Sequence, residues 1–414
     1  MVDRVEERLR WADRQGHPLY VWPDVPPEAW RKALSEIERV SRAVLAGRST
    51  RIAIADGDEL SLAALDVAAF TSCMGPLLGW WVGQEMLLAS DHVRERLALH
   101  LEHGRRRELR MLDALRETVR TLDAAGVAVT VLKGAHTTRT CFPAPGLRPM
   151  ADLDLLIPAS DVSHAEGVLR AVGYTLVPGS RRTREYYRSS WELPGSPTTI
   201  HSFEVHHEHN PYNMDLHNAL DVNFFGVRTV RFDVPPDMLM AAPWAGERAT
   251  ALAQPLLTAH LAVHASRGLY NLTMIRLVEL AILLRRDAGR SFTWDELSAL
   301  LHRHRSERFS YPAFELVERL APGTVDAAFR ERLARSATPA QRRVIDRVTP
   351  GTAQCLERLS LDERFMWAAT PFEHFRRAAR VLVPIGAGWS LRRLAYVYVQ
   401  RAFRIWRGRV AWRG

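Results

Sequence analysis

Two aspartates, Asp152 and Asp154, stand two residues apart in a segment that runs from Arg148 to Ile157. In an extended strand, residues i and i+2 share a face, so both carboxylates project together while Leu153, Leu155 and Ile157 turn toward a core. Two neighbouring carboxylates repel, and a divalent cation relieves the repulsion. Magnesium in particular takes carboxylate oxygens together with substrate phosphates. The same doublet on a surface loop would be only a solvated turn, so its meaning depends on what stands around it.

Transfer of a phosphoryl group by two metals needs a further carboxylate on a neighbouring strand. Asp215 is the first candidate: in segment 214–220 it shares a side with His217, while Met214 and Leu216 take the other. Glu204 is the alternative, because a β-hairpin turning at 210–213 would carry it on an adjacent strand. Upstream, the β-branched run 127–132 ends in Lys133 and Gly134, a strand entering a turn in which a missing side chain lets backbone approach phosphates. Lys133 is one of only two lysines, with Lys32, in an arginine-rich chain. Lys133 and Arg148 are candidates to neutralise charge on phosphoryl oxygens, as a compact point charge and a planar fork respectively. Their plainer alternatives are a solvated strand end for Lys133 and an ion pair with Asp152 for Arg148.

Taken together, Leu132 to Gly134, then Pro145 to Ile157, then Asp215 to His217 resemble the motif order of a bacterial family of uncharacterised nucleotidyltransferases, nucleotidyltransferase family 5. The apolar residues follow the aspartates here, as in polymerase-β-like enzymes, whereas in nucleotide-sugar glycosyltransferases they precede them. The resemblance implies an α+β fold: a polymerase-β-like core, a small mixed sheet with helices, flanked by N- and C-terminal helical units. It implies transfer of a nucleoside monophosphate from a nucleoside triphosphate to a hydroxyl-bearing acceptor, with magnesium or manganese held by Asp152, Asp154 and Asp215. Lys133-Gly134 replaces the broader superfamily's Gly-Ser turn. Readings from other classes are a glycosyl- or phosphoryl-transferase using the same carboxylates, and a non-catalytic nucleotide-binding scaffold.

His201, His206, His207, His209 and His217 crowd one stretch; the first expectation is strand and hairpin histidines, His217 among them, that position Asp215 or contact substrate, and a zinc hydrolase is the minority reading. Their spacing is not diagnostic, and His260 and His264, four apart, lack the glutamate of a metalloprotease helix. Arg276 and Glu279 lie about one turn apart in the apolar helix expected over 275–284, so an internal ion pair is the first expectation, with nucleotide binding by Arg276 as the accessory one.

The elements that must position these groups follow from pattern. Residues 1–125 read as a helical unit, clearest from Ser90 onward, where Val93, Leu97, Leu101, Leu109, Leu112, Leu115, Val119 and Leu122 recur at mostly three- and four-residue steps. The transferase core is expected over 126–235, with Ser160 capping a helix that ends near Gly173 and a strand following it. A helical unit is expected over 236–372. The apolar run 67–83 contains Pro76 and suits a buried helix pair better than a membrane span. Cys73, Cys141 and Cys355 are far apart, which argues against a disulfide framework and structural zinc. The charged start, Met1 to Gln15, has no signal-peptide pattern, and a cytoplasmic location is expected.

The chain carries a net charge of +9, yet ten arginines and no acidic residue follow Glu373. The remainder is therefore near neutral, which disfavours a nucleic-acid acceptor. The basic, aromatic-rich tail, 373–414, is expected to pack its aromatic side on the body and leave arginines in water. An anionic membrane surface or an acidic partner for residues 375–413 is the second expectation.

Overall fold

The computed structural model describes residues 22, 24–54, 57–176, 184–188 (backbone), 212–355, 365–382 and 399. The first unit contains α1 (Pro27–Leu45), β1 (Thr50–Arg51), α2 (Glu59–Thr71), α3 (Gly75–Gly83) and β2 (Leu87–Leu88). It ends in the long α4 (Asp91–Ala124). Proline at the start of α1 and of α3 suits the first helical turn, where its missing N–H leaves no bond unmade. The run 67–83 is a buried helix pair, as expected: α2 and α3 meet at 112° around Cys73, whose φ is 58°. Among the described residues no single helix is long and apolar enough to cross a membrane. On α4 the buried stripe runs through Val93, Leu97, Leu115, Val119 and Leu122, but Leu109 is exposed. A 3.6-residue period carries the stripe through His100, Gly104, Arg107 and Met111 instead.

The central unit follows as β3 (Thr130–Val131), α5 (Lys133–Thr140), β4 (Asp152–Leu156), α6 (Val162–Ala171), β5 (Tyr174–Leu176), β6 (Arg184–Arg188) and β7 (Asn213–His217). Next come β8 (Leu220–Phe224), β9 (Arg228–Phe232), β10 (Leu239–Ala241) and β11 (Thr250–Leu252). Ser160 does not cap α6. Its hydroxyl turns to Asp161, which holds the N-cap position after a short 3₁₀ turn. Segment 214–220 is not one strand. It breaks at 218–219, and β8 leaves to form a separate two-stranded hairpin with β9.

A seven-stranded sheet has the order β10-β11-β3-β4-β7-β6-β5. Strand β4 lies antiparallel to β3 and parallel to β7, and β7 is antiparallel to β6. The described antiparallel partner of β7 is thus 184–188; the expected partner strand, 201–207, lies outside the described residues. One sheet face, with Val131, Leu153, Leu155, Met214 and Leu216, packs on Met111, Leu115, Val119 and Leu122 of α4 and on Ala165 and Leu169 of α6. Leu132, Leu156 and Leu252 join the other, larger core.

That larger core contains α7 (Leu256–Ser266), α8 (Met274–Asp287), α9 (Trp294–Arg303), α10 (Glu307–Leu320), α11 (Ala327–Ser336) and α12 (Pro339–Asp346), and it also takes in α1 to α3. Strand β4 is therefore covered on both faces from Leu153 to Leu156, while Asp152 at its start is exposed. The loop into β4 is fixed on α4: Arg107 Nε donates to Met150 O at 2.8 Å, and Gly146, at φ +83°, lies where a Cβ would meet Arg105 N at 2.5 Å.

The last helix, α13 (Pro371–Leu382), reverses the expected orientation of the tail's first turns. Phe372 and Phe375 are 67% and 71% exposed, while Arg377 is buried. Arg376 and Arg377 donate to the carbonyls of Gly226 and Phe225 in the β8–β9 turn, whose unpaired acceptors attract guanidinium donors. Apart from 399, residues 383–414 lie outside the described residues.

Candidate active site

The site forms where β4 and β7 run side by side. Parallel register places Asp154 directly opposite Asp215, with Asp152 opposite Asn213 and Leu156 opposite His217. Alternation then sends Asp152, Asp154, Asp215 and His217 to the face away from α4, while Leu153, Leu155, Met214 and Leu216 fill the core behind them. Two carboxylates opposed across a strand pair destabilise it unless cations are near. Lys133 Nζ lies 2.7 Å and His217 Nε2 2.8 Å from the same oxygen, Asp154 Oδ1.

Backbone geometry delivers the lysine. The amide of Leu132 bonds to Asp154 O at 3.0 Å, which ties the end of β3 to the doublet. Lys133 follows at φ 38°, a left-handed conformation that is costly for a residue with a Cβ. That turn starts α5 and aims the ammonium back at β4.

The two aspartates of the doublet sit in opposite electrostatic states. Burial would raise the Asp154 carboxyl, but the Lys133 charge and the bonds from His217 and Lys133 override it and hold it well below the usual range. Asp152 is solvent-accessible at the end of the strand, yet surrounding protein displaces enough water to raise its carboxyl, and the Asp154 charge raises it further. Lys133, Arg276 and Arg148 only partly oppose this.

The donor atoms of Asp154, Asp215 and His217 all lie within 4.8 Å of one another. This set suits a divalent cation, since it joins two carboxylates to an imidazole nitrogen. Of the expected site residues, Asp152, Asp154, Asp215, Lys133 and His217 come together here. Glu204, His201, His206, His207 and His209 lie outside the described residues.

Arg148 does not pair with Asp152. Its Nε and second terminal nitrogen reach Glu279 Oε1 and Oε2 at 2.8 and 3.3 Å, and its first terminal nitrogen reaches Pro149 O at 3.3 Å. Glu279, 2% exposed, also accepts from the Thr137 hydroxyl of α5. The expected Arg276–Glu279 ion pair is therefore replaced, because a partner 131 residues away in sequence meets the glutamate in a fork geometry. Gly134 makes room for this arrangement: a Cβ there would lie 2.6 Å from the Arg148 terminal nitrogen.

The Arg276 guanidinium makes no hydrogen bond or ion pair among the described residues and lies near Asp152 and Arg148. Burial, and then the Arg148 charge, lower its pKa. Two further groups were not placed at the site by sequence reasoning. The His260 and His264 rings of α7 lie 6.1 Å apart, tilted at 42°, and the charges of Lys133 and Asp154 act on both. The His260 imidazole is buried with neither nitrogen bonded, and burial pulls its pKa down to about 3. Their four-residue spacing was the available signal.

Carboxylates on adjacent strands, an ammonium at the turn before them and a nearby unpaired guanidinium form a set suited to enzymes that act on phosphoryl groups with a divalent metal. The chain belongs to the family described as uncharacterised nucleotidyltransferase, whose family model matches residues 82–322. It is thus a transferase of nucleotidyl groups on a mixed α+β fold. Comparison with curated proteins found no match, nor did comparison with solved structures.

Proposed function

We propose that the protein moves a nucleoside monophosphate from a nucleoside triphosphate to a hydroxyl of a small molecule, saccharide or peptide, on a polymerase-β-like core. The observation that carries this is the register of Asp154 opposite Asp215, with Asp152 on the same face of β4. Asp152, Asp154 and Asp215 would hold magnesium or manganese, which supplies charge to the triphosphate oxygens. Arg276, lacking a protein partner among the described residues, binds the triphosphate beside Asp152. Lys133 holds Asp154 ionised and in place at its 2.7 Å contact, and adds positive charge where phosphoryl charge develops.

The acceptor oxygen forms its bond to the α-phosphorus as the bond to the bridging oxygen breaks. Asp215 takes the hydroxyl proton, and pyrophosphate leaves with the bridging electron pair. Arg148, with both guanidinium edges on Glu279 and Pro149, serves this step by fixing the start of α5.

The test is a magnesium-dependent binding screen of the four triphosphates and common nucleotide sugars by calorimetry, repeated on Asp154→Asn. Binding of a triphosphate that the variant abolishes supports the reading, and pyrophosphate release with an acceptor completes it. Release of a nucleoside diphosphate would replace it with glycosyl or phosphoryl transfer, and binding without turnover on any acceptor would leave a nucleotide-binding scaffold. Stoichiometric zinc in untagged protein would favour the hydrolase instead.

A cytoplasmic location with contact to an anionic membrane surface belongs to the same proposal. It is supported by the exposed Phe372 and Phe375 together with ten arginines after Glu373. Full-length protein is expected to sediment with vesicles rich in anionic lipid and a chain ending at Glu373 to stay in solution. Equal sedimentation of both would remove this part.

A further inference from the structure

We infer that the cation held between Asp154, Asp215 and His217 is ligated by the His217 imidazole and is therefore a transition-metal dication, for which manganese is the probe. This rests on the proposed reading only for the cation's role in the reaction, and it names which ion this position selects. Magnesium keeps to oxygen ligands and surrenders its water reluctantly, whereas imidazole nitrogen suits the first-row transition metals. A nitrogen in the donor set therefore favours a transition metal over magnesium.

Two observations place the nitrogen there. His217 Nε2 lies 2.8 Å from Asp154 Oδ1, on a strand whose own Asp215 is two residues away, and the three donor groups fall within 4.8 Å. Donors this close would serve one dication, held by Asp154, Asp215 and His217. His217 is buried, with its carbonyl taken by Ile157 N at 3.0 Å, so its backbone is fixed beside the aspartates.

The second observation is independent. His260 is 2% exposed, has no hydrogen bond on either ring nitrogen and feels the charges of Lys133, His217 and Asp154. A buried imidazole with both nitrogens unmet is destabilising, because neither ring nitrogen recovers the bond it made to water. A hydrated cation beside His217 brings a water ligand that satisfies one of them. His260 is then a positioning residue outside the ligand set, the common arrangement around metal centres.

The experiment uses untagged full-length protein, stripped of metal and loaded with one equivalent of manganese, read by pulsed electron paramagnetic resonance. Nitrogen-14 modulation from one directly bound imidazole is expected in the native protein. In His217→Gln the modulation is expected to vanish and manganese affinity to fall at least tenfold, with magnesium affinity changed less than threefold. In His260→Gln the modulation is expected to remain, with weaker manganese binding. Bound manganese without nitrogen modulation in the native protein would overturn the inference and leave the triphosphate reading standing. Modulation that survives in a folded His217→Gln would overturn the assignment to His217. Absence of manganese binding, with or without a triphosphate, would overturn both the inference and the metal-dependent reading.

Discussion

Helix α5 joins two clusters of charge that are built on opposite principles. On one side Arg148, Glu279 and Thr137 match each other donor for acceptor and are closed off by the core. In the other cluster Asp152, Asp154 and Asp215 share one face of the sheet, Lys133 reaches Asp154 at 2.7 Å, and the end of the strand at Asp152 opens to solvent. A closed cluster fixes geometry, because breaking a matched buried pair leaves a charge with nowhere to go. A cluster of carboxylates that opens to solvent retains affinity for a cation and for what the cation carries. The same helix serves both, with Lys133 at its first position and Thr137 one turn later.

The largest expected effects fall on the open cluster. Asp154→Asn and Asp215→Asn are each expected to lower turnover at least a thousandfold, about 4 kcal/mol of transition-state stabilisation, as measured by pyrophosphate release. Asp152→Asn should cost as much turnover, yet leave the Tm unchanged or higher, because its carboxyl is raised by burial and by the Asp154 charge. A lower Tm for Asp152→Asn would show that the open cluster is structural too, and the contrast with the closed one would collapse.

The closed cluster should answer in the opposite way. Glu279→Ala strands the Arg148 guanidinium and is expected to destabilise the fold by about 3–5 kcal/mol in urea titrations. Gly134→Ala forces the pinned Arg148 aside at the 2.6 Å contact and is expected to cost up to about 3 kcal/mol. Because Gly134 follows Lys133, turnover should fall as well. An unchanged Tm in Gly134→Ala would mean that Arg148 moves freely and that the closed cluster is not closed.

Much of the open cluster was legible in sequence, and little of the closed one. Period-two alternation sufficed to put Asp152 and Asp154 on one face and Asp215 with His217 on another strand, because a strand's side-chain directions are local. Lys133 stood out by its rarity and its place at a strand end. Glu279 was misassigned to Arg276 because helical neighbours are visible in sequence and a partner across the fold is not. His260 and His264 escaped because an i,i+4 pair without a third motif residue is equally a pair of core histidines. The register of β7 on β4 was inferable only as a requirement of the chemistry. The hairpin anticipated for it placed a different strand beside β7 and ran past the break at 218–219. Leu109 shows the same limit within a helix, since a three- and four-residue rhythm does not say which residue drifts off the stripe over 34 positions.

The smallest effect expected is a titration that reads the closed side alone. His136, on α5 one residue before Thr137, is buried and stacks with Trp244 at 6.4 Å. Burial, then the nearby Arg286 charge, pull its pKa down to about 4, against the opposing charge of Glu279. The unfolded chain takes up this proton near pH 6.5 and the folded chain only near pH 4, so between those values the unfolded state binds more protons. Stability from this site is thus flat above pH 6.5 and falls as the pH drops toward 4, by about 2 kcal/mol at pH 5. Asp154 acts in a different window: its depressed carboxyl contributes above the unfolded carboxylate value and is lost only below it, so the two clusters separate on the pH axis. His260 adds a similar loss of its own, so the site-specific measure is a difference. Urea titrations at pH 7 and pH 5 should show His136→Gln losing about 2 kcal/mol less than the native chain over that interval. Equal losses in both proteins would mean that His136 reaches solvent in the folded state, and that the helix joining the two clusters is not sealed on its inner side.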